Sequence, residues 1–177
     1  MDNNFPIRRV IWLALIILII IAYANTIHSP FVYDDKIEVV GNRTIRFIDE
    51  WKAILLYNPS RMLLQLTYAL NFNRNEFDPT GYHITNIVIH CCTAGACLFT
   101  IERLAKLAKF HRSILFASTI TVLWILHPMA TESVTYITGR SESLCGLFSI
   151  LAVGFWANNV IRANIGWRVA TIIATIC

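Results

Sequence analysis

The sequence predicts an all-α integral membrane protein in which several apolar helices form a bundle. Three observations carry that reading. Of 177 residues, 56% are hydrophobic and only 15% charged, and the mean hydropathy is +0.55, a balance foreign to ordinary soluble domains. The apolar residues gather into blocks long enough to span a bilayer. Basic residues collect at alternate gaps between those blocks, as in an oriented bundle. The formal charge of +4 is small, and the bases are scattered without a recognition motif, which argues against nucleic acid as a partner.

The first block, residues 10–24, follows Arg8 and Arg9. Its basic start resembles a signal peptide, with Ala22-Tyr23-Ala24 as the nearest cleavage candidate. Counted as 7–25 it is long enough to span, and it reads as a retained signal anchor. A second span is expected at 82–101, ending at Glu102-Arg103. A third, at 113–127, stops at His127-Pro128, since the residue before proline avoids helical geometry. A fourth covers 144–161. An incomplete fifth starts at 168 and stays apolar to Cys177, too short to cross about 30 Å as a helix. The chain therefore reads as truncated, or as relying on further spans or a partner subunit.

Orientation follows from the bases. Arg8, Arg9, Arg103, Lys106, Lys109, Arg112, Arg162 and Arg168 sit in short segments with few acids. The bases of the other loops are diluted among Asp34, Asp35, Glu38, Asp49, Glu50, Glu76 and Asp78. A cytoplasmic amino terminus is thus expected, with outer loops at 26–81 and 128–143.

The long outer loop has its own signals. Residues 49–56 read as a short amphipathic helix with acids at its positive end. Residues 62–70 are apolar but too short to span, so an interfacial or re-entrant helix is expected. Asp78-Pro79-Thr80-Gly81 reads as a turn, and Asn42-Arg43-Thr44 is a glycosylation sequon on the expected outer face. Cys91, Cys92, Cys97, Cys145 and Cys177 fall in apolar blocks without metal or redox spacing and read as packing residues.

Three constellations could carry chemistry. Asp34-Asp35 lies just beyond the first span. Adjacent carboxylates repel and demand water, a cation or a base, so the pair is either a solvated turn or a site that handles a proton or a divalent metal. In an extended segment the two would point opposite ways, leaving one to face a substrate. In the second span His83, Asn86, His90, Thr93 and Cys97 share a helical face. That stripe serves interhelical hydrogen bonding, substrate lining at His83 and Asn86, or a metal. Finally, His127, Glu132, Arg140 and Glu142 crowd the second outer loop. There Arg140 either pairs with Glu132 or Glu142, or binds phosphate through its planar fork.

The ordered segments FVYDDK, SRMLLQLTYALNF, DPTGYHITNIVIHC and HPMATESVTYITGRSESLCGLFSILA resemble the amino-terminal membrane region of the transmembrane and tetratricopeptide-repeat (TMTC-like) proteins. These are grouped with the GT-C glycosyltransferases and are related to the protein O-mannosyltransferases. The resemblance implies a GT-C-like, partial multi-span bundle with Asp34 and Asp35 as the catalytic motif. It also implies roles for Arg61, Glu132, Arg140 and Glu142; Arg61 is followed by Met62 where the family often has proline. What it implies chemically is transfer of a sugar from a polyprenyl-phosphate donor to a protein or glycan acceptor, at the periplasmic face of a bacterial inner membrane or the lumenal face of the endoplasmic reticulum. A carboxylate there would remove the acceptor proton or hold a divalent metal, and an arginine would neutralise phosphate. A structural or accessory subunit and an ion-coupled transporter are the alternatives.

Overall fold

The computed structural model describes residues 5–162 and 165–176 of the chain, with Cys177 outside the described residues. Among the described residues every regular element is helical: α1 (Phe5–Tyr23), α2 (Trp51–Tyr57), α3 (Met62–Asn75), α4 (Pro79–Leu107), α5 (Ser113–Ile125), α6 (Ala130–Thr135), α7 (Arg140–Arg162) and α8 (Ile165–Ile176). Short helical turns link α1 to α2 and α2 to α3. The protein is an all-α membrane protein, and three helices are long and apolar enough to cross a bilayer: α1, α4 and α7.

The spans differ from the expected ones in length. At 29 residues α4 is about 43 Å long, some 13 Å more than the hydrocarbon core. It starts at Pro79 because Asp78 caps it, accepting the Thr80 N–H at 3.0 Å, with proline at a position needing no donor. The expected turn at 78–81 is therefore the first turn of the helix. Helix α5 has only 13 residues, about 20 Å, and stops at Ile125 two residues before His127. It is apolar throughout but shorter than a full span, because the polypeptide leaves helical geometry ahead of Pro128. Helix α8 begins at Ile165, earlier than residue 168, and folds back so that Trp167 stacks on Phe99 of α4, ring centroids 6.2 Å apart.

Helices α1 and α4 run antiparallel. Arg8 bonds Glu102 at 2.6 Å at one end, and Tyr23 meets His90 edge-on at 5.3 Å near the other. Between them Trp12 lies over Gly95, where an added Cβ would come 2.6 Å from the indole. Glu102 is buried and also binds Lys106 at 2.7 Å, which locks that end of the bundle. The bundle core is Leu15, Ile19, Ile87, Ala94, Leu98, Ala117 and Ile125. Outward-facing residues such as Leu13, Ile17, Ile21, Val153, Trp156 and Ile172 are exposed, as a lipid-facing surface requires.

A second core caps the other end. Val39, Ile45, Ile54, Leu64, Tyr68, Ala69, Tyr82 and Ile137 pack together there. Helix α3 continues past the expected 62–70 to Asn75, burying Leu64, Tyr68 and Ala69 while Met62, Leu63 and Leu70 stay exposed. Asn42 is buried, not displayed: its amide donates to Gln65 at 2.8 Å, and its oxygen accepts from the Thr44 N–H and hydroxyl. Of the cysteines, Cys97 is buried and Cys91 half-buried, whereas Cys92 and Cys145 are exposed; all four are free thiols.

Candidate functional site

Between the cap and the bundle lies a half-open cavity of about 360 Å³. Its walls are the segment after α1, the start of α3, and the stretch joining α6 to α7.

The acidic pair stands in the first wall, and its two members differ completely. The segment is a helical turn, not extended: the Asp35 N–H donates to Val32 O at 2.9 Å and the Glu38 N–H to Asp34 O at 2.8 Å. Successive side chains are then about 100° apart, so only one acid can face the cavity. Asp34 is exposed and lines it. Asp35 is 1% exposed. Its Oδ1 accepts from the Thr138 N–H at 2.8 Å and the Thr138 hydroxyl at 2.9 Å, and its Oδ2 from the Val32 N–H at 3.2 Å. Asp35 thus clamps one wall to the other.

Arg140 plays a comparable part in the second wall. It is 0% exposed and bonds neither Glu132 nor Glu142. Its Nε donates to Asn86 Oδ1 at 2.8 Å, and its terminal nitrogens donate to Thr67 Oγ1 and Tyr82 O, each at 2.9 Å. The guanidinium lies 4.8 Å from the Tyr68 ring centroid. Every nitrogen is committed to protein, so the expected phosphate ligand is a buried pillar. Asn86 continues the network, donating to Val134 O at 3.2 Å and Tyr136 O at 2.8 Å. His83 bonds Ser29 O through Nε2 at 3.0 Å. His83 and Asn86 both bind neighbouring backbone, the packing alternative of the sequence reading.

Arg61, Glu132 and Glu142 are exposed and line the cavity with Asp34. Other side chains that the sequence reading assigned no role join them, Glu38 and Tyr68 among them. Glu38 follows Asp34 by one helical turn, a spacing that could have revealed it. Tyr68 supplies the floor; burial raises its phenol above the ordinary value, opposed by the Arg140 cation over its ring. Behind α6 lies a smaller cavity of about 220 Å³ bounded by His90, Trp124, His127 and Glu142, so Glu142 borders both. Among the described residues no three His, Cys, Asp or Glu side chains converge to hold a metal ion. The four acids ring the cavity at separate points.

Asp34, an exposed carboxylate beside the buried Asp35, lines the same cavity as the arginine Arg61. Sequence comparison gives the relationship. A protein O-mannosyl-transferase of Caenorhabditis elegans is 30% identical over 154 residues, 80% of this chain and 22% of that protein. Protein O-mannosyl-transferase tmtc2 of Xenopus laevis is 31% identical over 147 residues, 76% of this chain and 17% of that protein. The chain is TMTC-like. Protein O-mannosyl-transferase TMTC4 of Homo sapiens, 27% identical over 164 residues, covers 80% of the TMTC-like chain and 22% of its own length. The chain spans about a fifth of the length of the curated relatives it matches. No family model matches it, and no solved structure matches it significantly.

Proposed function

We propose that this TMTC-like chain forms the acceptor-activating part of a GT-C-type membrane glycosyltransferase. The whole protein moves a sugar from a polyprenyl phosphate to a hydroxyl of a protein or glycan, at the non-cytoplasmic face. The division of labour in the acidic pair carries this reading. Asp35 is spent on holding the turn, and that leaves Asp34 in the cavity with an uncommitted carboxylate. Asp34 takes the acceptor proton as the hydroxyl oxygen forms its bond to the anomeric carbon. The anomeric carbon–phosphate oxygen bond breaks, and its electron pair leaves on the polyprenyl phosphate. Arg61, the cation lining the same cavity, offsets that phosphate charge.

The level of the cavity supports a lipid-linked donor. Thirty ångströms of hydrocarbon measured back along α4 from Glu102, about twenty residues, ends near Tyr82 and His83. Those residues lie at the cavity end of the bundle, where a polyprenyl headgroup would emerge. The basic residues Arg9, Arg103 and Lys106 gather at the opposite end, which favours the non-cytoplasmic face for the cavity.

The test uses the full-length protein. Asp34→Asn is expected to lower the transfer rate on the order of 10²-fold, with thermal stability and donor binding retained. Asp35→Asn places an amide N–H against a backbone N–H and is expected to lower stability first. Near wild-type transfer by Asp34→Asn eliminates the proposed base.

A further inference from the structure

Tyr33 is the anomaly of the cavity rim. Its φ is +44°, in the left-handed region where the Cβ of an ordinary residue crowds the following carbonyl. Its side chain is 79% exposed, so burial does not compensate that strain. Strain of this kind persists where the surroundings fix the backbone, and it clusters at ligand-binding positions. Here the surroundings do fix it. The Asp35 N–H closes on Val32 O at 2.9 Å, the Lys36 N–H on Tyr33 O at 3.2 Å, and the Asp35 carboxylate ties the turn to Thr138. The result is a ring set edge-on to that of Tyr136, centroids 6.1 Å apart and planes 79° apart. Both tyrosines line the same cavity as Asp34.

Two aromatic rings near a right angle, over a cavity rimmed by separate carboxylates, suit a pyranose. Its C–H face carries partial positive charge and stacks on the negative face of an aromatic ring. Its hydroxyls donate to carboxylates such as Glu38 and Glu132, which accept without needing to converge as metal ligands would. We propose that Tyr33 and Tyr136 are the sugar-recognition wall of the cavity, with the ring of Tyr33 stacking on the hexose of the lipid-linked donor. This assignment rests on the donor reading above. The competing role for an exposed tyrosine at this level is an interfacial anchor in the lipid headgroups.

The decisive variant is Tyr33→Gly, because glycine accepts a φ of +44° without strain. It removes the ring while leaving the fold as stable as the parent or more so. The full-length protein in lipid nanodiscs is titrated with a citronellyl-phosphate hexose and, separately, with citronellyl phosphate alone. Tyr33→Gly is expected to weaken the hexose probe about five-fold or more and to leave the sugar-free probe unchanged, whereas Tyr33→Phe keeps both affinities. Retention of the full hexose preference by Tyr33→Gly overturns the sugar wall alone. Equal weakening of both probes also overturns it and assigns Tyr33 to anchoring. A wild-type protein that binds neither probe, or does not prefer the hexose probe, removes the donor reading and this inference with it.

Discussion

Replacing Arg140 with lysine is expected to destabilise the fold before it affects any ligand. The guanidinium donates in three directions at 2.8–2.9 Å, to Asn86 Oδ1, Thr67 Oγ1 and Tyr82 O, and so joins α3, α4 and the start of α7. A lysine ammonium is a single point at the end of its stem and can serve one of these directions well. Two buried acceptors then lose a charged donor. At roughly 1.5–3 kcal/mol for a hydrogen bond to a charged group, the loss is about 3–6 kcal/mol. That is a large part of the roughly 5–15 kcal/mol that holds a typical domain together. Loss of the planar stack over Tyr68 adds to it.

The assay is thermal unfolding of the purified protein in lipid nanodiscs, with limited proteolysis of the 26–81 region as a second probe. A double-mutant cycle with Asn86→Ala should be non-additive, since Asn86 carries the same network on to Val134 and Tyr136. Unchanged stability together with lost affinity for a polyprenyl-phosphate sugar would refute the pillar reading and return Arg140 to the ligand site.

Gly139→Ala puts a Cβ 2.7 Å from Glu132 O and 3.0 Å from Ser133 Cα, both backbone, so α6 must shift; a loss of about 1–3 kcal/mol is expected in thermal unfolding, and an unchanged midpoint would show that the α6–α7 approach is looser than drawn. Asn42 is expected to carry no glycan in the folded protein, because its amide is committed to Gln65; an endoglycosidase-sensitive mass shift that Asn42→Gln abolishes would contradict this. Asp78 accepts the Thr80 N–H, which holds its carboxyl below the ordinary carboxylate value. The cap's contribution is therefore complete above that ordinary value and fades as pH falls through the lowered one; Asp78→Asn should flatten this acid dependence of stability, and an unaltered profile would dismiss the cap as its source.

Much of the bundle was legible because a bilayer leaves its mark on composition. The blocks that became α1, α4 and α7 announce themselves by length and hydropathy alone. The overhang of α4 beyond 82–101 did not, since Pro79-Thr80-Gly81 reads as a turn and the far end carries Glu102, Arg103 and Lys106 in place of an apolar run. The site was half legible. Resemblance and position pointed to Asp34, Arg61, Glu132 and Glu142, and these four side chains line the cavity together with residues that the sequence did not single out. Arg140 looked equally suited to a ligand, because nothing local marks it as buried. Its partners lie 54, 58 and 73 residues away, beyond any periodicity in sequence. The acidic pair was read as extended, and hydrogen bonds that close a helical turn decide which member is free.

The role proposed for Asp34 asks that a base be held in place and yet keep its lone pairs unspent, two demands that conflict on a short loop. Hydrogen bonds that would fix Asp34 directly would also lower its basicity. The adjacent acid resolves the conflict. Asp35 accepts three hydrogen bonds, two of them from a residue 103 positions away, and fixes the backbone from which Asp34 projects. Thr138 is in turn followed by Gly139, which lets α6 approach closely, and by Arg140, which anchors the wall to α3 and α4. The buried charges of Asp35 and Arg140 therefore serve geometry, one for each wall, while the exposed charges of Asp34 and Arg61 remain available to a substrate. Substitution at the buried pair should act through the shape of the cavity, and substitution at the exposed pair through its chemistry.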